Sequence, residues 1–269
     1  MPKPQKFSKF IVNPEYDERQ DLVDTVAKVR DLLNNELACI DKIEDTTLQL
    51  ICIFSLIDRL AQEQANYPRD FKKAFFDFVL KHQKQCDYLE CVEPITLYYR
   101  VEDIIEESVL IPGFPPEKEV SLDSLGYLYA ETVKSVLTKG KAEEILDYIK
   151  KKKGTAFADA VAKDHQLISL MYRMRSKAVH EMSGLGESMN YHQELKPTEP
   201  YYRDLGRSYV QDGYWVTDDV VELVIPNIFI RNILQDCIEG YLSDCLRDNR
   251  FPFSNNHMTR KHVLSWYDK

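Results

Sequence analysis

Arg175 and His180 stand five residues apart in the run Tyr172-Arg173-Met174-Arg175-Ser176-Lys177-Ala178-Val179-His180-Glu181. A guanidinium grips anionic oxygens through a fixed fork of donors, and an imidazole exchanges a proton near neutral pH. Together they could organise a phosphate for attack, the arginine on its oxygens and the histidine on a proton. Five helical residues turn the chain through about 500°, which separates the two side chains by roughly 140° in azimuth. They can share a cleft wall only if His180 lies near a helix end. Met182-Ser183-Gly184-Leu185-Gly186 supplies such an end.

The helix that carries the pair is expected over about 155–181, with Leu167, Leu170, Met171, Met174 and Ala178 as its packed face. Arg175 must emerge beside that face. A partly buried arginine needs an acidic partner or a phosphate. Asp58, alone among Leu56, Ile57 and Leu60, is the best intramolecular candidate. Two arrangements fit these residues. In one, Arg175 and Asp58 form an interhelical salt bridge while His180 caps the helix C-terminus, where a cation is favoured. In the other, the arginine and histidine serve a bound phosphate.

The elements that must position this pair are mostly helical. Residues 1–20 read as a polar N-terminal extension, and a helix follows from Asp21 with Leu22, Val26, Val29, Leu32, Leu33 and Leu37 at helical spacing. A second begins after Asp45-Thr46-Thr47 and carries Leu48, Ile51, Ile53, Phe54, Ile57 and Leu60, nearly continuous enough to lie at the centre of a bundle. Pro68 suits the first turn of a third, with Phe71, Phe75, Phe78 and Val79 as its buried stripe. Pro94 opens a fourth through about Ser108, and Ile111-Pro112-Gly113-Phe114-Pro115-Pro116 reads as a rigid loop. Helices at about 121–138 and 141–152 precede Gly154 and the long motif helix.

Beyond the motif the pattern changes. Residues 206–216 and 219–225 mix aromatic and β-branched types around Asp212-Gly213, which predicts a hairpin. Pro226-Asn227 precedes a last helix with Ile230, Ile233, Leu234, Cys237, Ile238, Tyr241 and Leu242, and the tail from Asn249 reads as irregular. The expected fold is mainly α: one helical domain over 21–248 with inserted helices at about 109–152, a small C-terminal β-hairpin, a final helix, and a tail over 249–269.

Composition narrows the function classes. No apolar run approaches the length of a membrane span, and the first residues lack the apolar segment of a signal peptide, so a cytoplasmic, non-membrane protein is expected. A net charge of −9 argues against coating nucleic acid with the whole surface, though it permits a local basic cleft at Arg173, Arg175, Lys177 and His180. Lys150 to Lys153 form a second basic block, either a solvated helix end or an RNA contact. Tyr98-Tyr99-Arg100 is either a stacking patch for RNA or a helix with one core and one surface face. Cys39, Cys52 and Cys237 sit in apolar helical patterns as reduced core residues, and neither cysteine nor histidine spacing suggests a metal site. With few glycines and no phosphate-binding loop, no cofactor is expected.

Arg175-Ser176-Lys177-Ala178-Val179-His180, with Glu181 following, resembles the Arg-x4–6-His signature of HEPN domains. Leu48 to Leu60, with Ile57-Asp58, and Phe71-Lys72-Lys73-Ala74-Phe75 are similar to early helices of stand-alone prokaryotic HEPN proteins. The aromatic hairpin and the terminal helix after Ile225-Pro226 fit the same layout. Ser176 departs from the asparagine, aspartate or histidine that many relatives carry directly after the arginine.

The resemblance implies a HEPN-like bundle in which two copies bring both motifs into one metal-free, RNA-cleaving cleft. A ribose 2′-hydroxyl would attack the adjacent phosphorus and leave a 2′,3′-cyclic phosphate. Arg175 would bind the phosphate and stabilise its developing charge, and His180 would assist the proton at the 2′-hydroxyl or the leaving oxygen. Asp58 would fix the arginine's rotamer. Ser176, Tyr172, Arg173 and Lys177 would support the site or bind substrate; for Ser176 the alternative is a bond to its own helix backbone, and for Tyr172 and Arg173 contact with solvent. The implied protein is a homodimeric endoribonuclease acting as a toxin or antiviral effector, with an antitoxin or defence-system partner. The alternative is an inactive HEPN-like scaffold or RNA- or nucleotide-binding module in a defence complex, which Ser176 and the net acidity favour.

Overall fold

Asp45 and Asp70 mark the starts of two helices by accepting a backbone N–H three residues on: Leu48 N donates to Asp45 at 2.7 Å and Lys73 N to Asp70 at 2.9 Å. These caps belong to a computed structural model that describes residues 18–84, 88–101, 141–181, 198–204, 207–211, 214–218 and 221–254. The described chain is a mainly helical bundle with a small antiparallel ribbon. Its helices are α1 (Glu18–Ile40), α2 (Thr46–Gln64), α3 (Phe71–His82), α4 (Pro94–Val101), α5 (Lys141–Lys153), α6 (Thr155–Asp164), α7 (Leu167–Glu181) and α8 (Asn227–Arg247).

α2 is the central element, as its apolar density suggests. It packs on α8, α3, α7 and α1, and Leu50, Ile53, Phe54, Ile57 and Leu60 are fully buried. Side chains of this size each contribute roughly 1.5–3 kcal/mol on burial. α1 runs antiparallel along α8, joined by Asp41–Arg231 at 3.0 Å, Arg30–Glu239 at 3.1 Å and Arg19 Nη1 to Leu246 O at 2.7 Å. The described helix includes Glu18 to Gln20, ahead of the start expected at Asp21.

Several expectations change at element ends. Asp70, not Pro68, sets the start of α3; Pro68 stays in a turn that also holds Asn66 and Tyr67 at φ 55° and 54°. Phe71 and Leu48 occupy first turns and are exposed, so neither belongs to its helix's buried stripe. Leu32 also faces outward on α1, and so does Cys39, while Cys52 is half-buried. Among the described residues Cys237 and Cys245 are the core thiols, and burial pushes the pKa of both upward.

α4 begins where expected. Glu93 caps it with both carboxylate oxygens, accepting from Ile95 N at 2.9 Å and Thr96 N at 2.7 Å, and Pro94 occupies the first position. The expected continuation to Ser108, the proline loop and the 121–138 helix lie outside the described residues.

The long helix expected over 155–181 is two helices. At His165-Gln166 the backbone leaves the helical ladder to meet the segment before α4. Glu93 N donates to His165 O at 2.8 Å, Leu167 N to Cys91 O at 3.1 Å, and Ile168 N to Leu89 O at 2.9 Å. Apolar spacing continues through the break because those amides find partners elsewhere, so the sequence period does not register it.

The ribbon pairs β1 (Tyr201–Asp204) with β4 (Val221–Val224) and β2 (Arg207–Gln211) with β3 (Tyr214–Asp218). Both ladders share one register, with Tyr201 opposite Val224 and Gln211 opposite Tyr214 on either side of Asp212-Gly213. The described strands form two two-stranded sheets, and β1, from Tyr201, lies ahead of the hairpin expected from 206.

After α8 the chain folds back instead of trailing away at once. Phe253 N donates to the Tyr241 hydroxyl at 2.9 Å, and Arg59 lies 4.6 Å over the Phe253 ring. Residues 255–269 lie outside the described part.

Candidate functional site

α7 buries Leu167, Leu170, Met171, Met174 and Ala178, the face expected from their spacing, and presents Arg175 to α2. There Asp58, set between the fully buried Ile57 and the next turn, receives it. Nε and Nη2 of Arg175 donate to the same Asp58 oxygen, Oδ2, at 2.8 and 2.6 Å. The two side chains are 14% and 15% exposed, which removes most of the screening that weakens surface pairs.

Tyr172 completes the seat. Its ring lies 5.5 Å from Cζ of Arg175, one helical turn away, and is held edgewise by Phe75 at 5.4 Å and Phe76 at 5.8 Å. A carboxylate and an aromatic face thus restrict the rotamer of one guanidinium. The fork is preorganised.

The remaining motif residues are distributed around this pair. Ser176 is half-buried, and Lys177 is exposed. Arg173 is exposed and donates through Nη2 to the carbonyl of Asp164, where α6 ends. His180 is the penultimate residue of α7, and its backbone alone is described there. Asp58 and Arg175 are therefore brought together; the geometry of the His180 ring lies outside the described side chains. Tyr98 is half-buried against the core and Arg100 is exposed, which matches a helix with one core face and one surface face.

Sequence reasoning missed a second polar cluster, where the ends of α2, α3 and α8 meet. Asp244 is buried and receives Lys81 Nζ together with Arg247 Nη1, the latter at 2.7 Å. His82 places Nε2 2.8 Å from Gln64 Oε1 and 3.5 Å from Asp244 Oδ2. Burial drives the His82 pKa down to about 4; Asp244 opposes the shift, and Lys81 and Arg247 add to it. Fully buried Glu63 lies 3.8 Å from Arg250 Nη1. The available signals were Glu63 and Asp244 within apolar stripes and Gly240 inside a helix, a residue that usually marks close packing.

His165 is also buried. It donates through Nδ1 to Val161 O at 2.8 Å, and burial lowers its pKa. Among the described residues no group of three or more His, Cys, Asp or Glu side chains could hold a metal ion. Among the same residues no helix is long and apolar enough to cross a membrane. Compared with known proteins, the chain matches no family model, no curated protein and no solved structure.

Proposed function

We propose that the chain is a HEPN-like helical protein that cleaves RNA without a metal, at a composite site formed by two copies. One observation carries this reading: Asp58 holds Arg175 across a helix interface, five residues ahead of a histidine near the helix end. Holding an arginine's rotamer with a carboxylate is the support that a transition-state contact needs, because the donors are aimed before charge develops.

The reaction would be an internal transfer. The 2′-oxygen forms a bond to the adjacent phosphorus while the bond to the 5′-oxygen breaks, giving a 2′,3′-cyclic phosphate and a 5′-hydroxyl. Arg175 stabilises the phosphate oxygens, and His180 relays the proton that leaves the 2′-hydroxyl or reaches the departing oxygen. Tyr172 borders the guanidinium directly, and Arg173, Ser176 and Lys177 of the same helix would support the site or bind substrate. A cytoplasmic toxin or antiviral effector, controlled by an antitoxin or defence-system partner, is the role that fits such an activity.

One observation favours a second reading, a non-catalytic scaffold or RNA-binding module. Arg175 is already paired and largely covered within a single copy, as a purely structural salt bridge would be. Incubating nuclease-free wild type, Arg175→Ala and His180→Ala with RNA in EDTA separates the two. Cleavage by wild type and its loss in both folded variants supports the enzyme; RNA binding without turnover selects the scaffold.

A further inference from the structure

Four consecutive lysines, Lys150 to Lys153, end α5, and every one of them is exposed. The same 13-residue helix carries Glu143 and Glu144 in its first turn and the exposed Asp147 one turn before Lys150 and Lys151, so four cations face a single nearby carboxylate of α5. Gly154 then turns the chain at φ +89°, with no atom within 4 Å of where a Cβ would stand. The corner is open to solvent. α6 packs back on α5, and Phe157 stands 42% exposed just beyond the lysines.

We infer that this tip, Lys150 to Lys153 with Phe157, is a landing surface for single-stranded RNA. The proposal rests on the RNA-directed reading above and adds a binding surface apart from Arg175. Single strands are held by cations along the phosphates and by aromatic faces under the bases. The tip offers both within a few residues, and Lys152 already lies 5.7 Å over the Tyr148 ring, so a second aromatic adjoins the block. In a chain of net charge −9, a polyanion is drawn only where local positive charge dominates, and this is the longest run of cations in the sequence.

Neither a helix-dipole role nor a membrane contact fits the whole surface. A helix end neutralising its own dipole accounts for the lysines but leaves the exposed ring without a purpose. An anionic membrane needs a broad apolar face, whereas Ala158 turns inward and exposed Asp159 would be pressed against the lipid headgroups. A narrow, flexible strand avoids both obstacles. α6 runs about 15 Å from the tip to Asp164, whose carbonyl receives Arg173 of the motif helix, so the tip and α7 stand at opposite ends of one helix.

Binding of a fluorescein-labelled 2′-O-methyl oligouridine tests this, because its blocked hydroxyl cannot be cleaved and the result is independent of catalysis. Replacing all four residues (Lys150→Gln, Lys151→Gln, Lys152→Gln, Lys153→Gln) should weaken binding at least about tenfold and reduce the log–log salt slope by up to about 3. Phe157→Ala should weaken binding about fivefold or more and leave the slope unchanged. Circular dichroism establishes folding; should the quadruple variant unfold, Phe157→Ala and the pair Lys151→Gln with Lys153→Gln decide.

Wild-type affinity in the folded variants overturns the proposal, and so does a wild type that ignores the probe. Selective loss of binding to phosphatidylserine vesicles, with RNA binding intact, overturns it as well. Loss of RNA binding here alongside a failed Arg175 and His180 cleavage test would leave the landing surface standing and remove only the nuclease.

Discussion

A Cβ on Gly240 would lie 2.3 Å from Nδ1 of His82 and 2.8 Å from its Cβ, so α8 and α3 meet where no further side chain fits. The imidazole is fixed on its other sides by Gln64 and by the Phe78 ring, 4.9 Å away, and cannot easily retreat. Gly240→Ala should therefore destabilise the protein by about 1–3 kcal/mol, although alanine is the better helix former. His82→Ala in the same chain should recover part of that loss. Urea denaturation of both single variants and the double variant measures it; additive losses would contradict the packing.

The same histidine sets a pH dependence. Its folded pKa is lowered from 6.5 to about 4, so the unfolded chain takes up the proton first as pH falls. This contribution to stability is complete above about pH 6.5 and is lost down to about pH 4, with a slope of up to about 1.4 kcal/mol per pH unit. His165 shifts in the same direction and adds to it. His82→Gln should flatten the fall in melting temperature over that window, and an unchanged profile would reject the assignment. Asp244, Lys81 and Arg247 remain in both chains, so the comparison isolates the ring.

Asp58→Ala strands a largely covered guanidinium and should cost on the order of 3 kcal/mol. Asp58→Leu combined with Arg175→Met removes both charges and should cost distinctly less than Asp58→Ala alone. Chemical denaturation of the set checks this. Equal losses in the two chains would mean that the bridge is not a coupled pair.

The core and the pairing at the site were legible in the sequence because both follow from side-chain period. Met171, Met174 and Ala178 define one face of α7, Arg175 must leave beside it, and a lone Asp58 in an apolar stripe has to face a cation. The break at His165 was hidden because backbone bonds to Leu89, Cys91 and Glu93 leave no trace in hydrophobic spacing. The cluster around His82 and Asp244 joins residues from distant segments, and the bundle's crossings alone bring them together. First-turn residues such as Leu48 and Phe71 keep the period of the buried face yet stand exposed.

The most direct test of RNA cleavage by Arg175 and His180 is the chemistry of the ends left by purified protein in EDTA, read by mass spectrometry beside His180→Ala. The expected result is a 2′,3′-cyclic phosphate opposite a 5′-hydroxyl for wild type, and intact RNA for the folded variant. Intact RNA with wild type, or the same products from His180→Ala, would contradict it.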